Sequence, residues 1–217
     1  LRCLVGSEMC IRDRGEQWLH DFPLFLGINK KNPPQIAVWL EDTQGNYLST
    51  VYVTHKIAAQ SWQASGGNRR KEALPHWCYS RGIKYDDGLY LSTKKEPLTD
   101  GISGATPHGS FDIKLSPTTA LKKFVVKIEI NHSTDFNEAF PQLAKEGETN
   151  YSGGKEGSGQ PAIVYTANVD LLSGKKSFEA NLIGHSSPDG SSGEINKDTS
   201  GLTTALHIVK RITVTIQ

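Results

Sequence analysis

Residues 124–130 read Phe-Val-Val-Lys-Ile-Glu-Ile, and this stretch decides the fold. Phe124, Val126, Ile128 and Ile130 fall on one side, with Lys127 and Glu129 on the other. That is the period of two that a strand imposes, because successive side chains point to opposite faces. The alternation recurs where Phe111, Ile113 and Leu115 interleave with Asp112 and Lys114. It recurs again at the C-terminus, where Ile212, Val214 and Ile216 interleave with Arg211, Thr213 and Thr215. Two further β-rich runs, 36–40 (IAVWL) and 47–53 (YLSTVYV), flank Gly45-Asn46, a pair suited to a tight hairpin. Segments 162–169 and 177–183 complete the set, for about seven or eight strands. They are punctuated by Gly, Pro, Ser and Asn and are not separated by long helices, as a parallel sheet would require. The expected fold is all-β: a single antiparallel β-sandwich, immunoglobulin-like in general architecture, with long loops and little helix.

Helical signals are few. A short helix is expected over 57–64, ended by Gly66-Gly67, and a turn or two over 136–145, where Pro141 interrupts. Residues 202–209 (LTTALHIV) fit strand or helix, and Ser200 is placed to cap the latter. Three loops are long: 82–108, 147–160 and 184–201. The second, GETNYSGGKEGSGQ, has the Gly/Ser composition of a mobile linker. Long loops in compact domains tend to be functional or disordered, so chemistry is to be sought there.

Lys+Arg total 24 and Asp+Glu 23, so the net charge is 24 − 23 = +1. Nucleic-acid and anionic-membrane binding rest on concentrated basic surface, and this balance argues against both. No window approaches the ~18 apolar residues of a transmembrane helix. At 217 residues, one domain buries enough surface for a real core.

The first fourteen residues, LRCLVGSEMCIRDR, stand apart. They hold two of the three cysteines and the only methionine, and they have no clear period. This stretch resembles translated sequencing-adapter read-through. It is expected to be a non-biological or disordered leader, whose presence would displace any export signal or lipid-anchor cysteine. Residues 15–32 then form a lead-in, and 33–217 a single domain. Outside the leader Cys78 is alone, between Trp77 and Tyr79, and is expected to be a buried, inert thiol.

The most informative loop segment is Asp100-Gly101-Ile102-Ser103-Gly104-Ala105-Thr106. On its residues alone it reads as a turn-rich approach to the strand at Phe111. It also resembles the Asp-x-x-Ser/Thr-Gly-Ala-Thr signature by which extracytoplasmic flavoproteins receive FMN, although Pro107-His108 follows where a further Ser or Thr is usual. The resemblance implies that a flavin transferase joins the FMN phosphate to the Thr106 hydroxyl as a phosphoester. Asp100, Ser103, Gly104 and Ala105 would then be the recognition elements. The residue types suit that chemistry, since the acceptor must be a hydroxyl and small neighbours let an extended chain enter another enzyme's pocket.

A broader resemblance covers most of the chain. The blocks 34–54 (PQIAVWLEDTQGNYLSTVYVT), 71–77 (KEALPHW), 103–111 (SGATPHGSF), 129–138 (EINHSTDFNE), 159–165 (GQPAIVY) and 200–214 (SGLTTALHIVKRITV) are similar, in order, to a bacterial family of predicted periplasmic proteins. That family is called domain of unknown function 2271 (DUF2271). It implies a secreted, largely β protein that works beside a flavin transferase and a membrane redox protein. The reading is an extracytoplasmic accessory of a flavin-based electron-transfer system, a redox carrier and not a catalyst. The rival reading is a cofactor-free β-sandwich binding module that docks a protein or carbohydrate through its loops.

Other chemistries find less in the sequence. Seven histidines occur without a short metal-ligand spacing. His108, His132 and His185, near Asp135 and Asp189, could converge in space, but structural or hydrogen-bonding roles are expected of them ahead of a metal site. Asp135 and Asn137 in NHSTDFNE are expected to tie down a tight turn. No nucleophile elbow, P-loop or dinucleotide fingerprint is present. Asn68-Arg69-Arg70-Lys71, between Trp62 and Trp77, is the one basic cluster with aromatic neighbours. It reads either as a phosphate and isoalloxazine clamp or as a charged loop beside two core aromatics.

Overall fold

The computed structural model describes residues 7–23, 29–62, 69–98, 101–105, 111–115 and 121–216. Their strands are β1 (Ser7–Arg14), β2 (His20–Pro23), β3 (Asn29–Asn32), β4 (Gln35–Glu41), β5 (Tyr47–Thr54), β6 (Ile102–Gly104), β7 (Phe111–Leu115), β8 (Lys123–Asn131), β9 (Ile163–Asp170), β10 (Ser177–Glu179), β11 (Asn181–His185) and β12 (Val209–Ile216). Two short helices, α1 (His55–Ala59) and α2 (Pro75–Ser80), fall between β5 and β6.

The fold is an all-β sandwich. A six-stranded sheet in the order β11-β9-β8-β4-β5-β6 faces a four-stranded sheet in the order β10-β12-β1-β7, and β2 pairs with β3 beside them. Pairs are antiparallel except β5–β6, which run parallel. The stretch that decides the fold, now β8, lies within the large sheet. Its alternation sets one row of the core: Tyr52, Val38, Ile128 and Tyr165 are successive register partners across β5, β4, β8 and β9. All four are buried against Ile113, Ile212 and Val214 of the small sheet. Trp18, from the lead-in, is buried in the same core. Ser7–Arg14, in the segment its composition sets apart, runs as β1 between β12 and β7, with Met9 opposite Val214 on one side and Ile113 on the other.

The second face of the large sheet is also covered. Ala37, Trp39 and Val53 pack under Ile57 and Ala58 of α1, Trp77 and Cys78 of α2, and Leu91. All seven residues of β4 are therefore buried, and a continuous IAVWL run suits a strand with both faces covered. This third layer reaches the polar side of β8 as well, where Glu129 is fully buried.

Two strand expectations change in detail. Residues 177–183 do not form one strand. The chain switches sheets at buried Ala180, so that β10 pairs with β12 in one sheet and β11 with β9 in the other. The β4–β5 turn is held by Asp42, whose carboxylate accepts from the amides of Gln44 and Asn46 at 2.8 and 2.9 Å, and Gly45 alone takes a positive φ. Helix α1 stops at Gln60 in the left-handed region, ahead of the expected end; Gly66-Gly67 lie outside the described residues. Residues 136–145 form turns without a helix, and 202–209 divide into a 3-10 turn (Thr204–His207) and the start of β12. The sequence reading did not anticipate α2.

Candidate functional site

The segment singled out in the sequence lies at an edge of the large sheet. β6 pairs in parallel with β5, matching Ile102 to Tyr52, Ser103 to Val53 and Gly104 to Thr54, and it ends the strand order. Residues 102–104 are thus an edge strand inside what the sequence reads as a long loop. Ser103 and Ala105 are exposed and Gly104 is half-buried. The Tyr52 hydroxyl donates to the Gly104 carbonyl at 3.3 Å. Gly101 is a requirement of packing: a Cβ there would lie 2.8 Å from the Thr50 methyl. Thr50 cannot easily yield, because its hydroxyl is bonded to the Tyr47 hydroxyl at 2.6 Å and accepts from the Trp77 indole at 3.0 Å. Asp100 and Thr106 lie outside the described residues.

The two long loops after β8 meet at the other end of the strand order, beyond β11. Thr149 and Asn150 of the first and His185, Glu194, Asn196 and Asp198 of the second border a cleft of about 660 Å³, with Phe140 in its wall. His185 lines it with 4% of its surface exposed. Its Nδ1 donates to the Ser186 carbonyl at 2.8 Å, and the Phe140 ring packs edge-on at 6.3 Å. Reciprocal backbone hydrogen bonds of 2.9 and 2.8 Å join His185 to Asn196. The amide and hydroxyl of Ser200 hold the Asp198 carboxyl below the usual range, with His185 in electrostatic reach. The 147–160 loop is pinned and does not behave as a linker. Ser152 and Ser158 are buried, and a Cβ on Gly159 (φ +76°) would sit 2.4 Å from the Asp135 backbone. Gly153, Gly157 and Gly159 serve close approach.

Of the three histidines that could converge, the described two make the hydrogen bonds expected of structural roles. His185 belongs to the cleft, His108 lies outside the described residues, and His132 sits elsewhere beside His20, their rings 5.3 Å apart. His132 Nε2 donates to the Gln17 carbonyl at 2.7 Å, and burial pushes its pKa down to about 4. Asp135 is raised by burial and accepts from the Thr204 hydroxyl. Asn137 caps the turn as expected. Its Oδ1 accepts from Phe140 N at 2.8 Å, and its Nδ2 donates to the Gly201 carbonyl at 2.9 Å, which secures one wall of the cleft. Among the described residues no group of three or more His, Cys, Asp or Glu side chains is arranged to hold a metal ion.

The basic cluster resolves to its second reading, a charged segment beside core aromatics. Arg70 is 4% exposed and its guanidinium is fully engaged: it bonds Glu72 at 2.8 Å, Ser158 at 3.0 Å and the Ser133 hydroxyl, 4.7 Å from the Trp62 ring. Arg69 donates to the Leu91 carbonyl and pairs with Asp87. Neither is available as a phosphate clamp. Nearby, both oxygens of Glu129 accept from the first amides of α2, His76 at 3.1 Å and Trp77 at 2.7 Å. Burial outweighs these bonds and pushes the Glu129 carboxyl up to about 7. His76 donates to the Gly193 carbonyl at 2.7 Å, and burial pushes it down to about 4. Cys78 is buried, as expected; burial and the neighbouring Glu129 push its thiol far up, so it does not act as a nucleophile.

Sequence reasoning located the loops but missed Asn196, Asp198, Arg70–Glu72 and the buried state of Glu129. Only the loop lengths carried a signal for the first two. The chain matches no protein-family model, no curated protein and no solved structure.

Proposed function

We propose that this chain is a non-catalytic, extracytoplasmic accessory of a flavin-based electron-transfer system, carrying FMN on Thr106. The observation that supports this reading is the setting of the signature's described part. Ser103 is exposed on a strand that terminates the sheet, with exposed Ala105 just beyond it, and Gly101 brings the backbone close against Thr50. An edge strand offers unpaired backbone groups that a modifying enzyme can grip by strand addition. Asp100, Ser103, Gly104 and Ala105 are the segment such a transferase reads, and Thr106 is the acceptor.

The chemistry requires an activated phosphate. The Thr106 oxygen forms a new P–O bond to the flavin-side phosphorus of a flavin dinucleotide, the pyrophosphate bond breaks and the nucleoside monophosphate departs. The hydroxyl proton passes to a base of the transferase. Bound flavin supplies one- and two-electron chemistry, and this chain supplies its position. Arg69 and Arg70 take no part in holding it, being committed elsewhere. The partners implied are a flavin transferase and a membrane redox protein, outside the cytoplasm. Among the described residues no helix is long and apolar enough to cross a membrane.

Co-expression with a flavin transferase, followed by in-gel flavin fluorescence and intact mass, tests the reading. Fluorescence in the parent chain and none in Thr106→Ala is expected. Signal surviving in Thr106→Ala would overturn the attachment site. No signal in either would favour the second reading, a cofactor-free binding module, whose support is the polar cleft around His185.

A further inference from the structure

The cleft beyond β11 has a donor and acceptor pattern that selects its ligand. His185 is more than nine-tenths buried, and the carbonyl of Ser186 can only accept, so Nδ1 carries a proton and Nε2 is the ring nitrogen left for a ligand. Among the described residues Nε2 has no hydrogen-bond partner. Asn196 Oδ1 accepts from the Asp198 amide at 2.9 Å, which leaves its Nδ2 hydrogens as donors beside His185. Asp198 Oδ1 accepts from the Ser200 amide at 3.0 Å, and its carboxylate stays ionised with acceptor capacity to spare. Glu194 and Asn150 add another acceptor and another amide to the rim, and Phe140 supplies apolar wall.

This set rejects most ligand classes. An anion faces the Asp198 and Glu194 carboxylates. An apolar molecule leaves His185, Asn196 and Asp198 desolvated without partners. An amine cation satisfies the carboxylates but offers nothing to the amide donors of Asn196 and Asn150. Hydroxyl groups both donate and accept, and C–H surface packs on the apolar wall. The volume of about 660 Å³ lies within the range of small-molecule sites.

We propose that this cleft binds a short neutral saccharide, with His185 Nε2 hydrogen-bonded to one ligand hydroxyl, Asp198 accepting from another, and Asn196 Nδ2 donating to a ligand oxygen. The paired backbone hydrogen bonds between His185 and Asn196 hold these groups in place before binding. The proposal deepens the binding-module reading. It holds whether or not Thr106 carries flavin, which concerns the opposite edge of the six-stranded sheet.

The test is calorimetric titration of the full chain with cellotriose, maltotriose and chitotriose. Spermidine and a sulfated trisaccharide serve as charged comparators. Saturable binding of at least one neutral trisaccharide is expected, with movement of the His185 ring nitrogen resonances. Asn196→Ala and Asp198→Asn, both at exposed positions, should each weaken it about tenfold at unchanged melting temperature. Binding of none of the three, tighter binding of either charged comparator, or undiminished affinity in both variants would overturn the proposal. Thr106→Ala should leave saccharide affinity unchanged, which separates this outcome from the fate of the flavin reading.

Discussion

The two faces of the six-stranded sheet are built from different chemistry. One face packs Val38, Val126, Ile128 and Tyr165 against the small sheet through uncharged, largely apolar side chains. The other lies under α1, α2 and their loops, and its cover carries buried charge: Glu129 beneath the start of α2, and the Arg70–Glu72 pair at 2.8 Å. The first face gains from removing hydrocarbon from water, by roughly 25 cal/mol per Å². The second must also satisfy every charge it hides, because a buried ion pair gains little over an apolar one yet is costly when half is removed. The polar face is thus more fragile residue by residue, and it is the face that ties the 69–98 segment to the sheet.

The largest effect should come from splitting the pair. Glu72→Ala strands the Arg70 guanidinium in the interior and is expected to lower unfolding free energy by about 3–5 kcal/mol in urea denaturation. Joint replacement, Arg70→Met with Glu72→Leu, should recover most of that loss. A double variant as unstable as the single one would break the contrast between the faces.

Next in size is Ile128→Ala on the apolar face, expected to cost about 3 kcal/mol by cavity formation. It should show no dependence on pH between 5 and 8, where no ionisable group is involved. A marked pH dependence there would show that the two faces are coupled.

Acid titration sharpens the comparison further. His76 and His132 have folded pKa values lowered to about 4, so the stability they contribute is present above their unfolded value near 6.5 and is lost as pH falls toward 4. Glu129 has the opposite sign. Its folded value is raised to about 7, so its burial penalty is full above that pH and is relieved as pH falls toward 4.5. The terms oppose one another between about 4.5 and 6.5. Glu129→Gln removes the compensating one and should lose roughly 2 kcal/mol more than the parent on acidification across that window. Parallel pH profiles would show that Glu129 does not titrate there.

The smallest effect is expected outside both layers. Leu143, 77% exposed, should tolerate Leu143→Ala within about 0.5 kcal/mol by thermal melting.

Legibility in the sequence followed the same division. β4, β5, β7, β8, β9 and β12 were readable because their alternation or β-rich composition is local. α2 was not, since Pro75–Ser80 is six residues long and is held by a carboxylate more than fifty positions away. The break at Ala180 escaped a pattern that continues smoothly through it, because the reason for it is the second sheet. Of the candidate site, the segment 100–106 was readable as a resemblance to a known signature, and the long loops as places to look. The pairing of His185 with Asn196 was not, because it depends on the 184–201 loop folding back upon itself.

By itself the sequence determined the all-β character and the main strands, because period-two patterning resides in neighbouring residues. Only the tertiary structure decided that Glu129 is sealed inside, that Arg70 serves Glu72 and not a phosphate, and that 102–104 is an edge strand. Burial and hydrogen-bond partnership depend on which distant segment arrives to cover a side chain, and no local pattern encodes that arrival.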